Sequence, residues 1–176
     1  MKPSKDFNNF DKSKTRKYDE KGRDFLAKLC IGVGLDIGCE PKKVTENCIG
    51  VDLDETWEPP PDVISDMSEL PFDDNSMDFV VSSHCLEHCV ELKKTLKEWF
   101  RVLTNGGHVG IIVPHGEYAH PKTLGDASCG HHQLFTEKTL SLFLQHIGFE
   151  NVESIIYERP TAYQQTPGIF AMGVKP

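Results

Sequence analysis

Gly34-Leu35-Asp36-Ile37-Gly38-Cys39-Glu40 is the stretch on which the reading of this chain turns. A short apolar run bounded by glycines reads as a buried strand, and Gly38 lets a backbone turn approach a ligand closely. Two further segments follow in the same style. Ile49-Gly50-Val51-Asp52-Leu53-Asp54 carries its run to a carboxylate at Asp52. The segment DMSELPFDDNSMDFVVSSHCLEH, Asp66 to His88, opens on the carboxylate that ends a third run and contains a fourth. Ligands of open α/β sheets bind outside the carboxyl ends of the strands, so these ends converge on one crevice. Each end could hold a different part of one nucleoside ligand.

Outward from that core, hydrophobic periodicity sets the remaining elements. Phe25, Leu26 and Leu29 lie at helical spacing and predict a first helix over Tyr18–Cys30. Strands are predicted at Val33–Ile37, Cys48–Leu53, Asp62–Ser65, Asp78–Ser83, His108–Pro114, Val152–Tyr157 and Ile169–Val174. Glu91–Leu103 carries Leu92, Leu96, Trp99, Phe100 and Leu103 on one stripe, and Asn105-Gly106-Gly107 reads as its stop. Thr136 is placed to cap a helix whose Leu140, Phe143, Leu144 and Ile147 share a face, with Gly148 closing it. The pattern implies an α/β protein with a seven-stranded, mostly parallel, Rossmann-like sheet and one reversed strand near an edge. About ten residues separate Ile37 from Cys48, and Pro59-Pro60-Pro61 interrupts the next connection, too little for crossover helices of ordinary length. The fold is therefore expected to lack helices after its first and second strands. One sheet face would be thinly covered, and a second subunit, another partner or the N-terminal helix would shield it.

Composition narrows the class. A chain of 176 residues is one domain, read as a flexible basic arm over 1–17 and a single folded unit over 18–176. No apolar stretch approaches the roughly 20 residues of a membrane helix, and the N-terminus has no apolar signal core. Six cysteines without a C-x-x-C pair suit reduced thiols in the cytoplasm. A net charge of −8 disfavours nucleic acid, whose phosphates need clustered Lys and Arg.

The ordered set of motifs resembles the class I S-adenosylmethionine-dependent methyltransferases, most closely their small members, from about Gly34 to Phe149. S-S-H-x-L-E-H over Ser82–His88 is similar to a recurring version of that family's fourth motif. The resemblance implies S-adenosylmethionine as cofactor, with Asp36, Gly38, Glu40, Asp52, Leu53, Asp66, Met67 and Ser83 around it. Asp52 would accept the ribose hydroxyls, with Asp54 as competitor and a turn-capping role as the plainer alternative. Asp66 would accept from the adenine amino group beside the backbone of Met67, or else cap the turn Met67–Leu70. The family's usual second glycine of the first loop is here Glu40, a departure that sets a side chain and a charge where the methionine end of the cofactor would lie. Ser82, Ser83 and His84 fall where such enzymes hold the reactive methyl group.

Histidines are the candidate bases, since imidazole titrates near neutral pH. They are His84 and, in the long loop Pro114–Phe135, His115 and His132, with His120 and His131 nearby. His84 and His88, like Cys85 and Cys89, are spaced to share a helix face, but the lack of a second recognised ligand pair leads to an expectation of no metal. The expected activity is methyl transfer to a small-molecule or sugar-like acceptor. The alternatives are a catalytically weak adaptor on the same scaffold, supported by Glu40 and the missing helices, and, more remotely, a metal-dependent hydrolase.

Overall fold

The computed structural model describes residues 19–118, 130–159 and 167–176. The proposed 1–17 arm and His120 lie outside them. Seven strands, β1 (Gly34–Ile37), β2 (Cys48–Asp52), β3 (Val63–Ile64), β4 (Met77–Ser83), β5 (Leu103–Pro114), β6 (Glu150–Tyr157) and β7 (Gly168–Val174), form one sheet in the order β3-β2-β1-β4-β5-β7-β6. β1 to β5 run parallel, and β7 is reversed between β5 and β6. The short final connection forces that reversal, because parallel neighbours need a crossover.

Side-chain alternation sorts the two faces. Leu35, Ile37, Val80, Val109 and Ile111 point into one cluster with Leu96, Trp99 and Val102 of α2 (Leu92–Val102) and Leu140 and Leu144 of α3 (Glu137–Ile147). Phe79, Val81 and Ile112 point the other way, against Leu26 of α1 (Glu20–Ala27) and Tyr157. β1 is buried at every position, as a central parallel strand covered on both faces must be.

The helix-poor face is covered by chain without regular structure. The connection from Cys39 to Asn47 lies against β2 at Gly50, where an added Cβ would meet Cys39 Sγ at 2.8 Å and Lys43 Cδ at 3.1 Å. Asp36 secures this connection from beneath, its Oδ2 accepting the Val44 N–H at 2.6 Å. α1 covers the centre of the same face but leaves Ile155 of β6 45% exposed.

Three local expectations need correction. α1 is shorter than predicted: Asp19 caps it, accepting the Gly22 N–H, and Leu29 and Cys30 donate to carbonyls three back, tightening the chain out of the helix. Asn105-Gly106-Gly107 is no helix stop. α2 ends at Val102 and Leu103 already pairs with Met77. The residues before the next pair, Phe79–His108, bulge out, with Gly106 at φ +85° and Lys175 bonded across the bulge to Gly106 and Gly107. On α3, Phe143 is 41% exposed, so the buried stripe is Leu140 and Leu144 with Ile147 at its margin. The capping box of Thr136 with Thr139 and the Gly148 cap at φ +122° do delimit that helix.

Candidate functional site at the carboxyl ends of the strands

Parallel register brings the strand ends level: Ile37 lies beside both Val51 and Ser82, and Asp52 beside Ile64. The first loop folds over the end of β2. Gly38 takes φ +73°, and its N–H and that of Cys39 both donate to the Val51 carbonyl. A side chain at position 38 would strike Cys85, whose Cβ and Sγ lie 2.5 Å from the Cβ position, so the loops after β1 and β4 meet there. Glu40 adopts φ +49°, the left-handed conformation that glycine takes freely. Asp52 organises both turns around it: Oδ2 accepts the Glu40 N–H at 3.1 Å and Oδ1 the Asp54 N–H at 3.0 Å.

The next wall is a turn anchored to α2. Asp66 is exposed and accepts the Ser68 N–H through Oδ1, and the Met67 carbonyl accepts from Trp99 Nε1 at 2.9 Å. Leu53 stands 61% exposed after β2. Asp36 lies apart from this group: it is 1% exposed beneath the Cys39–Asn47 connection, and burial, opposed by the Val44 N–H, pushes its carboxyl up to about 7.

Behind the end of β4 sits a buried ionic network that the sequence did not reveal. Asp19 accepts from Tyr157 Oη (2.6 Å), Arg159 Nε (3.1 Å) and the Gly22 N–H, and pairs with His84 Nε2 at 3.2 Å. Burial opposes its charge, but the hydrogen bonds from His84, Tyr157 and Gly22 prevail and hold the carboxyl down at about 2. His84, at φ +55°, has its Nδ1 3.4 Å from Glu87 Oε1. Burial acts against its charge and the two carboxylates outweigh that effect, raising its pKa. Asp19 was not singled out in the sequence, because its partners are remote along the chain.

The other two histidines differ sharply. His115 is 2% exposed, its Nε2 3.2 Å from Glu137 and its Nδ1 accepting the Glu117 N–H, so both ring nitrogens are engaged inside the fold. His132 is exposed, its backbone N–H bonded to the Glu87 carbonyl. Ser83, half-buried, ends β4 beside these groups, and Ser82 Oγ donates to the Ile37 carbonyl. A shallow depression lined by Lys28, Ile31, Asp78 and His108 lies at the opposite, amino end of the strands, away from all of these residues.

Residues 29–111 match the family model described as a methyltransferase domain. That match agrees with the resemblance to the class I S-adenosylmethionine-dependent methyltransferases read from the motifs. An S-adenosylmethionine-dependent methyltransferase from Thermotoga maritima superposes with a TM-score of 0.73 at 17% identity, over 89% of each chain. Phosphoethanolamine N-methyltransferase 2 of Haemonchus contortus, solved with phosphomonomethylethanolamine and S-adenosylhomocysteine, superposes with a TM-score of 0.71 at 17% identity, over 89% of this chain and 53% of that one. Among curated proteins, ajmaline N-methyltransferase of Rauvolfia serpentina is 35% identical over 52 residues, 30% of this chain and 18% of that protein. The fold of this chain is thus matched nearly end to end, whereas the curated relative is matched over less than a third of it. No helix among the described residues is long and apolar enough to cross a membrane.

Proposed function

We propose that this methyltransferase binds S-adenosylmethionine across the level strand ends and transfers its methyl group to a small-molecule or sugar-like acceptor. The observation that carries the reading is Asp52, which ties the loops after β1 and β2 together where a ribose would lie. Its carboxylate keeps lone pairs for both ribose hydroxyls. Gly38 and Glu40 would face the methionine end, Asp66 and the backbone of Met67 the adenine, and Leu53 an apolar flank of the nucleoside. Asp36 would act at one remove, by holding the Cys39–Asn47 connection in place.

The acceptor's lone pair attacks the methyl carbon in line with the departing sulfur. The C–S pair returns to sulfur, leaving S-adenosylhomocysteine. The sulfonium is already activated, so alignment and exclusion of water supply much of the acceleration. A protonated acceptor needs a base. His84, clamped between Asp19 and Glu87 with a raised pKa, and His115, with both nitrogens engaged, are poorly disposed for it. His132, exposed beside Glu87, is the better disposed of the three. The adaptor alternative is not favoured: Glu40 preserves the backbone shape of a glycine, and the helix-less connection packs closely on β2.

Calorimetric titration with S-adenosylmethionine and S-adenosylhomocysteine tests the reading. Asp52→Ala should weaken both ligands by about 1–3 kcal/mol, the scale of charge-assisted hydrogen bonds. Asp66→Ala should cost less, because the adenine amino group is uncharged. No heat at millimolar ligand, or the reverse ranking, would sink the proposed pocket. Screening acceptors for release of S-adenosylhomocysteine then addresses the substrate.

A further inference from the structure

The turn after β4 places a second chemistry beside the crevice. Glu87, in the 3₁₀ turn Leu86–His88, is 2% exposed. Its Oε1 faces His84, whereas its Oε2 is buried without a hydrogen-bond partner. His131 Nδ1 is likewise buried and unpartnered. The residues that carry these two orphaned atoms belong to one cluster. Glu87, His88 and His131 each present a ligand atom within 4.8 Å of the others. His88 completes the set in a telling orientation. Its Nδ1 is 3.1 Å from the Gly130 carbonyl, which fixes the proton on that nitrogen and leaves Nε2 as a lone-pair donor. Metal-binding histidines are commonly oriented by just such a backbone carbonyl.

A buried carboxylate oxygen without a partner is costly, and one cation shared with two imidazoles would satisfy it. We propose that Glu87, His88 and His131 form a binding site for a divalent first-row transition-metal ion. Two imidazoles and one carboxylate suit zinc, iron(II) or cobalt(II) rather than magnesium or calcium, which prefer all-oxygen shells. The donor segments are already held in place: His132 and Gln133 both donate their N–H groups to the Glu87 carbonyl, and the His88 and His131 rings lie 4.9 Å apart. Three protein ligands leave a coordination position for water or an incoming oxygen or nitrogen donor. The expectation of no metal arose because the third ligand, His131, is remote in sequence from the His84–His88 pair and carries no spacing signal.

The test uses the full chain without an affinity tag, stripped with chelator and titrated with cobalt(II) followed by visible absorption. One cobalt per chain should bind, zinc should displace it, and magnesium should not. His88→Ala and His131→Ala should each weaken binding at least about tenfold, the scale of an impaired metal shell, while His146→Ala on α3 leaves it unchanged. Both ligand variants lie in loop or turn positions and leave the buried Glu87 in place, and circular dichroism verifies their fold. Azide should shift the cobalt bands of the wild type by entering the open position. Absence of saturable cobalt and zinc binding would overturn the proposal. Unchanged binding in both histidine variants would overturn it equally, and cobalt bands indifferent to azide would refute the open position.

Discussion

Glu40 shows how one backbone angle changes the meaning of a substitution. In the sequence it is an intrusion where the family usually has glycine, and replacing it would seem to add only unfolded-state entropy. At φ +49° the balance reverses, because an L side chain in the left-handed region costs about 1 kcal/mol that glycine avoids. Glu40→Gly should leave stability unchanged or raise it by up to about 1 kcal/mol in urea denaturation. A clear loss would mean that contacts of the Glu40 side chain outweigh the backbone. Asp36 gives a pH signature of its own. Its native carboxyl binds a proton more tightly than in the unfolded chain, about 7 against 3.8. Its contribution to stability is therefore full below about pH 4, declines as the pH rises, and is lost above about pH 7. Asp36→Asn, which keeps an oxygen for the Val44 N–H, should flatten the stability profile across that interval. An unchanged profile would show that Asp36 ionises freely in the fold.

Among the elements, those marked by local chemistry were the most legible. Thr136 and Gly148 delimit α3 as their spacing implies, and Thr136→Ala should cost about 1 kcal/mol in thermal or urea unfolding by removing the capping box. A cost near zero would mean that tertiary contacts alone fix the start of α3. The start of β5 was misread because glycines that favour a helix stop also favour a bulge, and only pairing with Met77 decides between them. Phe143 was misplaced for a related reason. Periodicity identifies an apolar side chain without saying how far the sheet extends beneath it, and α3 lies near the β6 edge.

At the scale of the molecule, the mostly parallel sheet and its reversed strand followed from connection lengths, whereas the groups that bridge distant segments did not. Asp19 gathers His84, Tyr157 and Arg159, and Glu87 faces His131. Such meetings depend on the assembled fold, and a single sequence carries no periodic trace of them. The thinly covered face likewise proves to be shielded partly from within, by α1 and the Cys39–Asn47 connection. Ile155 remains exposed at its β6 edge.

The missing crossover helix also bears on how the protein assembles. Gly34 must find Cys48, a short loop away, but must find Phe79 across a far longer one. Closing the shorter loop loses less chain entropy, so the β1–β2 pair can form before the partners of β1 on its other side arrive. Val51→Ala, fully buried in β2, should then slow folding by nearly its whole equilibrium cost, while Ile169→Ala in β7 should chiefly hasten unfolding. Stopped-flow kinetics would read both, and the opposite pattern would place the nucleus at the far side of the sheet, leaving the short connection without kinetic advantage.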